Sequence, residues 1–148
     1  MRYLTVNDLK AAVPADVLAR LTDDDVSHSI TEKRIDETKL EAAILWAEAY
    51  VDARLAKRYI VPLDLANIAS DGARDLIKEA ALQMAVYRLY SRVEREKVAK
   101  DKRELADKTL EDLASGSIEL PGANQRARVR IRYQSPATRF SINKGDEQ

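Results

Sequence analysis

From Ser70 to Val93 the chain is apolar on nearly every side of a helix. Its middle, Glu79-Ala80-Ala81-Leu82-Gln83-Met84-Ala85-Val86-Tyr87-Arg88-Leu89-Tyr90, lacks the single apolar stripe of a surface helix. It therefore predicts a long central rod with neighbours on several sides. Strong helix formers fill it, and no Gly or Pro interrupts it after Gly72. Ser70 and Asp71 offer oxygens to the unpaired amides of its first turn.

The other elements read as partners of that rod. Thr5 can cap a short helix over Val6 to Ala11, and Pro14 suits the first turn of a second one running to about Arg20. Val6, Leu9, Val17, Leu18 and Leu21 are their inward positions. Periodicity is lost from Thr22 to Arg34, where Asp, Ser and His gather, as in a loop. From Glu37 to about Lys57 the residues Leu40, Ile44, Ala47, Val51 and Leu55 recur at three and four, one continuous helical stripe. Thr38 with Glu41 has the spacing of a capping box. Trp46 sits off the stripe, placed for partial burial against the N-terminal helices or for use as an interface anchor. Arg58-Tyr59-Ile60-Val61-Pro62-Leu63 breaks the helix, because Pro62 holds Val61 extended, and forms an elbow. A further helix is predicted over Glu94 to Ala114, with Val98, Leu105, Ala106, Leu110 and Leu113 inward and Ser115-Gly116 as its stop. The pattern leaves open whether Tyr87 to Lys102 is one helix or two.

After Pro121-Gly122 the period changes to two. Ala127, Val129, Ile131 and Tyr133 alternate with Arg126, Arg128, Arg130 and Arg132, a strand-like segment with one face of arginine. A second extended piece, Thr138 to Ile142, follows Pro136, so the tail is a small hairpin or a pair of arms. The fold class is all-α: a bundle of about four helices around a long buried one, with an extended β-like C-terminal arm or hairpin. Residues 1–122 form the bundle domain and 123–148 the basic arm.

Composition narrows the chemistry. Lys+Arg and Asp+Glu each total 25, so net charge steers the chain to neither nucleic acid nor membrane. The distribution says more: five arginines and no acid lie between Arg126 and Arg139, while Asp23-Asp24-Asp25 lies near the other end. Without Cys there are no disulfides, thiolate metal sites or thiol nucleophiles. No signal peptide or membrane span is visible. The triple Asp lacks the central Gly and terminal Glu of a calcium loop, so it reads as a solvated, helix-capping acidic loop. His28, the lone His, reads as a titrating surface residue. No phosphate loop, zinc spacing or nucleophile elbow is present, and no enzyme activity, cofactor or metal is expected.

The arginine strand is the feature that asks for a partner. Its arginines can be solvated, pair with acids of a neighbouring chain, or contact phosphates, for which the guanidinium fork is matched. An unpaired strand can also add to another subunit's sheet edge. Arg126, Arg128, Arg130, Arg132, Tyr133, Arg139, Phe140, Asp23, Asp24, Asp25 and Trp46 are the candidate interface or DNA-channel residues.

Several short patterns carry a resemblance. They are Tyr3, Thr5, Asp8 and Leu9; Leu21-Thr22-Asp23; Ala47, Val51-Asp52, Leu55, Arg58-Tyr59 and Pro62-Leu63; Ala85, Tyr87-Arg88 and Leu89-Tyr90. Gly116-Ser117-Ile118-Glu119-Leu120-Pro121-Gly122 and Ser135-Pro136 with Arg139-Phe140-Ser141 complete them. In order and spacing they resemble the Mu-like phage and prophage family of small helical neck proteins, which act as head-tail connectors or head completion proteins. The resemblance implies a structural subunit of a ring, expected to be dodecameric, docked beneath the portal protein. It would extend the channel for genomic double-stranded DNA and present a platform to the downstream neck or tail-completion protein, in the virion neck after a cytoplasmic phase in the host. A different class of function competes with it: a small cytosolic regulator that binds nucleic acid through the arginine strand.

Overall fold

The computed structural model describes residues 2–25, 27–29, 32–92 and 96–126, without the side chains of residues 96 and 98. Five α-helices follow in order: α1 (Val6–Ala12), α2 (Ala15–Thr22), α3 (Glu37–Leu55), α4 (Asp71–Ser91) and α5 (Glu96–Ser115). A 3-10 turn, Leu65–Asn67, lies between α3 and α4. The all-α class holds among the described residues, with five helices where the pattern suggested about four. The predicted hairpin, Val129 to Ile142, lies outside them.

α4 is the axis. Ala73, Ile77, Ala80, Ala81, Met84, Ala85, Val86 and Leu89 are buried, and the helix touches every other one. The stretch Tyr87 to Lys102 is two helices. Late α4, through Met84 and Leu89, shares a cluster with Ala106, while early α4, through Ile77, shares one with Leu110 and Leu113. α5 therefore runs back antiparallel along α4. α3 covers another flank with Leu40, Ile44, Ala47, Val51 and Leu55, all 0 % exposed. Each such Leu or Ile contributes about 1.5–3 kcal/mol by leaving water. α1 and α2 close one end through Leu9, Leu18 and Leu21, with Val6 and Val17 half-buried beside them.

The capping chemistry agrees with the sequence at two helices and departs at two. Thr5 and Asp8 form a capping box on α1, and Ser70 Oγ accepts the Ala73 N–H on α4. At α3, Asp36 is the cap, accepting from Thr38 and Lys39 N–H; the Thr38–Glu41 box does not form because the helix starts earlier than that spacing requires. Pro14 stands one place before α2 with extended ψ of 141°, and its carbonyl opens the helix. In α5, Ala106, Leu110 and Leu113 are buried as expected, but Leu105 is 53 % exposed. It lies one residue before Ala106, about 100° around the helix, outside the arc facing α4. Val98 is among the side chains not described.

Two polar devices fix the N-terminus and the elbow after α3. The first is Glu48, 1 % exposed inside the apolar face of α3. Its carboxylate accepts the N–H groups of Arg2, Tyr3 (2.8 Å) and Leu4 (3.4 Å), so residues 2–4 are clasped to the helix. Tyr3 donates its hydroxyl to Asp52 and accepts the Leu63 N–H at 2.8 Å, joining N-terminus, α3 and elbow. Burial first, and the bond to Asp52 second, push the Tyr3 hydroxyl well above its usual range, so it stays a neutral donor.

The second device is the elbow. Past α3 the chain turns through buried Tyr59 and a cis Val61–Pro62 peptide. Arg58 reaches across to the C-terminus of α5, donating Nη1 to the Ser115 carbonyl (3.1 Å) and pairing with Glu119 (3.4 Å). Gly116 (φ 90°) lets the chain leave α5 beneath that guanidinium; a Cβ there would lie 1.6 Å from Arg58 Nη1. Residues 120–126 return along the elbow: Ala69 N–H to Pro121 O (2.9 Å), Ile60 N–H to Asn124 O (2.8 Å), Arg126 N–H to Arg58 O (2.8 Å).

Glu48→Ala should strand the amides of residues 3 and 4 and destabilise the protein by about 3 kcal/mol. Glu48→Gln, which keeps an accepting oxygen, should cost less. Urea midpoints compare them, and equal effects would show that the clasp does not act through the accepting oxygen.

Candidate interaction surfaces

Three surfaces gather the candidate residues. The first is the loop after α2. Asp23, at the C-cap of α2, turns its carboxylate inward to the Arg34 N–H (2.9 Å), the Asp25 N–H (2.9 Å) and His28 Nδ1 (2.9 Å). Those contacts, the Arg34 amide foremost, hold its carboxyl well below the usual carboxylate range. Asp24 pairs with Lys39 and Arg92, both at 2.7 Å, tying the loop to the first turn of α3 and the end of α4. Asp25 folds onto Ser27. Thr22 adds a latch, donating to the Leu18 carbonyl (2.8 Å) and accepting the Asp36 N–H (3.0 Å). The three aspartates thus brace a connection between helices, and the capping of α3 falls to Asp36. Beside them lies an open depression of about 290 Å³, where Arg34 and Lys39 face the acids.

The second surface lies where α3, α4 and α5 meet. Trp46 is half-buried, and its ring neighbours come from α3 and α4: Tyr50 stacks on it at 5.5 Å and Tyr87 tilts against it at 6.0 Å. Arg88 lies over the indole at 5.2 Å. Asp107 of α5 ties the group together, accepting from Tyr50 Oη (2.6 Å), Arg54 Nη2 (2.7 Å) and Arg103 Nε (3.4 Å). Burial works against the Asp107 charge, but the bonds from Tyr50, Arg54 and Arg103 with the Arg54 charge outweigh it and keep its carboxyl below its ordinary range. Trp46 is partly buried as expected, but its ring contacts are with α3 and α4 and not with the N-terminal helices, and sequence reasoning missed this network. Its only signals were the four-residue spacings Tyr50–Arg54 and Arg103–Asp107, and nothing in one strand of sequence links the two pairs.

The third surface is the base of the basic arm. Tyr59 and Gln125 form an isolated antiparallel bridge, and Arg126 is exposed with its amide held by Arg58. Arg128, Arg130, Arg132, Tyr133, Arg139 and Phe140 lie outside the described residues, so the structure places only the point of departure. That point is closely packed. Gly122 (φ 88°) sits where a Cβ would come 2.0 Å from the Asn67 carbonyl oxygen. No helix among the described residues is long and apolar enough to cross a membrane.

Two outcomes test this geometry. Gly122→Ala, with positive φ and no room, should cost about 2 kcal/mol or more, read from chemical denaturation. An effect within error would show that residues 120–126 are not packed on the elbow. For the loop, a carboxylate whose folded pKa is depressed stabilises above its unfolded pKa of about 4, and that contribution drains as pH falls. Asp23→Asn should therefore lower Tm at pH 7 and flatten the loss of Tm between about pH 5 and pH 2, followed by circular dichroism. An unaltered slope would exclude Asp23 as a source of acid sensitivity.

The residues behind these ties coincide with the patterns that carry the resemblance: Tyr3 with Asp52, Thr22-Asp23, Arg58-Tyr59, and the turn from Gly116 to Gly122. The family model described as Bacteriophage Mu, Gp36 matches residues 3–134. That span opens on the Glu48 clasp and takes in Arg126 to Tyr133, while Arg139 and Phe140 fall beyond it. No curated protein matches the chain. With all five helices and the elbow inside the matched span, the chain belongs to the bacteriophage Mu Gp36 family and is a phage protein.

Proposed function

We propose that this protein is a structural head-tail connector subunit of the phage neck, and that it works by assembly rather than catalysis. Copies form a ring, dodecameric by the family resemblance, beneath the portal protein. The ring extends the channel for the genomic double-stranded DNA and receives the downstream neck or tail-completion protein. Membership of the Mu Gp36 family supports the phage setting. The observation that carries the reading is the hydrogen-bonded packing of the elbow up to Arg126, where the sequence turns basic. Arg126 is fixed to Arg58, and the elbow beneath it is bound to α5 and to Asn124. A mobile linker delivers a charge anywhere, whereas a fixed base delivers it to a set place on a neighbour. Arg126, Arg128, Arg130 and Arg132 then meet the portal, another subunit or channel phosphates, while α3, α4 and α5 hold shape.

Electron microscopy of lysates from a phage lacking this gene should show full or leaking heads beside separate, complete tails. Normal virions would overturn the reading. A variant without residues 126–148 should keep its helical circular dichroism yet fail to join heads to tails; joining by that variant would remove the arm from the mechanism. A titration of free DNA at two salt concentrations guards against a regulator. Weak binding fits a channel that lets the genome slide, whereas tight, strongly salt-dependent binding would favour a nucleic-acid-binding protein.

A further inference from the structure

Three guanidinium groups lie over three aromatic rings where α3, α4 and α5 meet. Arg88 covers Trp46 at 5.2 Å, Arg54 covers Tyr50 at 5.4 Å and Arg103 covers Tyr87 at 5.5 Å. Stacking occupies the flat face of a guanidinium and leaves the N–H groups at its edge free to bond oxyanions. Asp107 takes one edge of Arg54 and one of Arg103. Arg88 has no acidic partner among the described residues.

The charges of α3 are sorted by side. Around the helix Lys57 stands about 20° from Trp46 and Arg54 about 80° from it. Glu48 is about 200° away, and Glu37, Glu41 and Asp52 fall within about 40° of Glu48. That acidic side is used inside the subunit: Glu48 holds Tyr3, Asp52 holds Arg2 and Glu37 pairs with Lys10. The side bearing Trp46, Tyr50, Arg54 and Lys57 carries no acid of α3. Lys39 and Arg92, at the loop end, are neutralised by Asp24 and Asp36.

Across the groove α5 presents Arg103, Asp107 and, one turn on, Glu111. Arg54, Lys57 and Glu111 line a depression of about 200 Å³ between the ends of α3 and α5. Lys57 is exposed and has no ion pair among the described residues. Farther out on α5, Lys100 and Glu104 add one charge of each sign. Arg54, Lys57, Arg88 and Arg103 thus outnumber the carboxylates Asp107 and Glu111. One residue past Lys57, the Arg58 carbonyl holds the N–H of Arg126, where the basic segment starts.

We infer that this face, with Arg88 and Lys57 as its open cations, meets the phosphate backbone of double-stranded DNA. It runs about 16 Å along α3 from Trp46 to Lys57, and a duplex offers a phosphate wherever such a row is laid. Bases are not the ligand, because proteins that bind single strands stack bases on open rings. Here each of the three rings already has a guanidinium over it. An acidic protein surface is the competing occupant. The row leads into a segment with no acid from Arg126 to Arg139, which suits a continuous polyanion better than scattered carboxylates.

The inference deepens the connector reading and rests on it for why DNA passes the subunit; the contact itself is tested on the purified full-length protein. A short mixed-sequence duplex is titrated at several salt concentrations, starting low, where a weak phosphate contact is measurable. R88Q/K57Q should weaken binding equally for unrelated sequences and reduce the slope of log affinity against log salt by about two. R88E/K57E should weaken it further. R20E/K78E makes the same change of net charge away from this face, on α2 and beside Asp8 of α1, and should bind nearly as the parent does. All variants alter exposed or half-exposed cations outside the core, and helical circular dichroism checks that each is folded. Equal losses in R88E/K57E and R20E/K78E would reduce the effect to overall charge and overturn the assignment, as would an unchanged slope in R88Q/K57Q. DNA binding indifferent to R88E/K57E in a phage whose heads and tails fail to join with that variant would give the face to an acidic protein instead. An insensitive titration beside separate heads and tails in the deletion phage would sink this face and leave the neck reading standing. A sensitive titration beside normal virions would do the reverse.

Discussion

α4 carries more apolar surface than any one neighbour can hide. A helix with eight buried residues spread around its circumference must be packed on several sides or stay exposed to water. That requirement sets the architecture. α3 and α5 take the two long flanks, and α1 and α2 close the end that holds Met84 and Leu89. α3 and α5 are each left with an outward side that α4 does not need. On those sides stand Leu45 and Leu105, which is why the bundle shows apolar residues at places where its own core cannot use them.

Packing on one axis leaves the chain ends and turns to be fixed by polar chemistry. Glu48 is the costliest of these fixings, since a buried carboxylate must recover the hydration it loses. Three amides and the Arg2 guanidinium surround it, and together they order an N-terminus that would otherwise fray. The elbow uses a cation in the complementary way. Arg58 answers a free carbonyl at the end of α5, where a positive charge also meets the negative end of the helix dipole. Within α3 a carboxylate gathers donors, and just past its C-terminus a guanidinium gathers acceptors.

This division explains what could be read from the sequence. The helices were legible because burial repeats at three and four: the stripe from Leu40 to Leu55 and the caps at Thr5 and Ser70 followed from local pattern. Leu105 was misplaced because a leucine beside an inward alanine satisfies the same pattern, and only the position of α4 decides between them. The cap of α3 moved to Asp36 because capping depends on where the helix starts, which the loop braced by Thr22 determines. Polar ties across 45 residues or more, such as Tyr3 to Glu48 or Arg58 to Ser115, leave no periodic trace. The same holds for Asp107, whose partners arrive from two helices.

The register at the elbow sets how far the pairing with residues 125–126 can run on this subunit's own backbone. Tyr59 opposite Gln125 sets an antiparallel pairing that would place Ala56 opposite Arg128. Ala56 is the C-cap of α3, with φ −57° and ψ −17°, and its N–H is already given to the Asp52 carbonyl. Helical backbone cannot serve as a ladder edge, so the elbow has no further pairing to offer beyond Arg58. The alternating segment from Ala127 to Tyr133 lies outside the described residues. The fold fixes where that segment begins and withholds an edge for it to continue on.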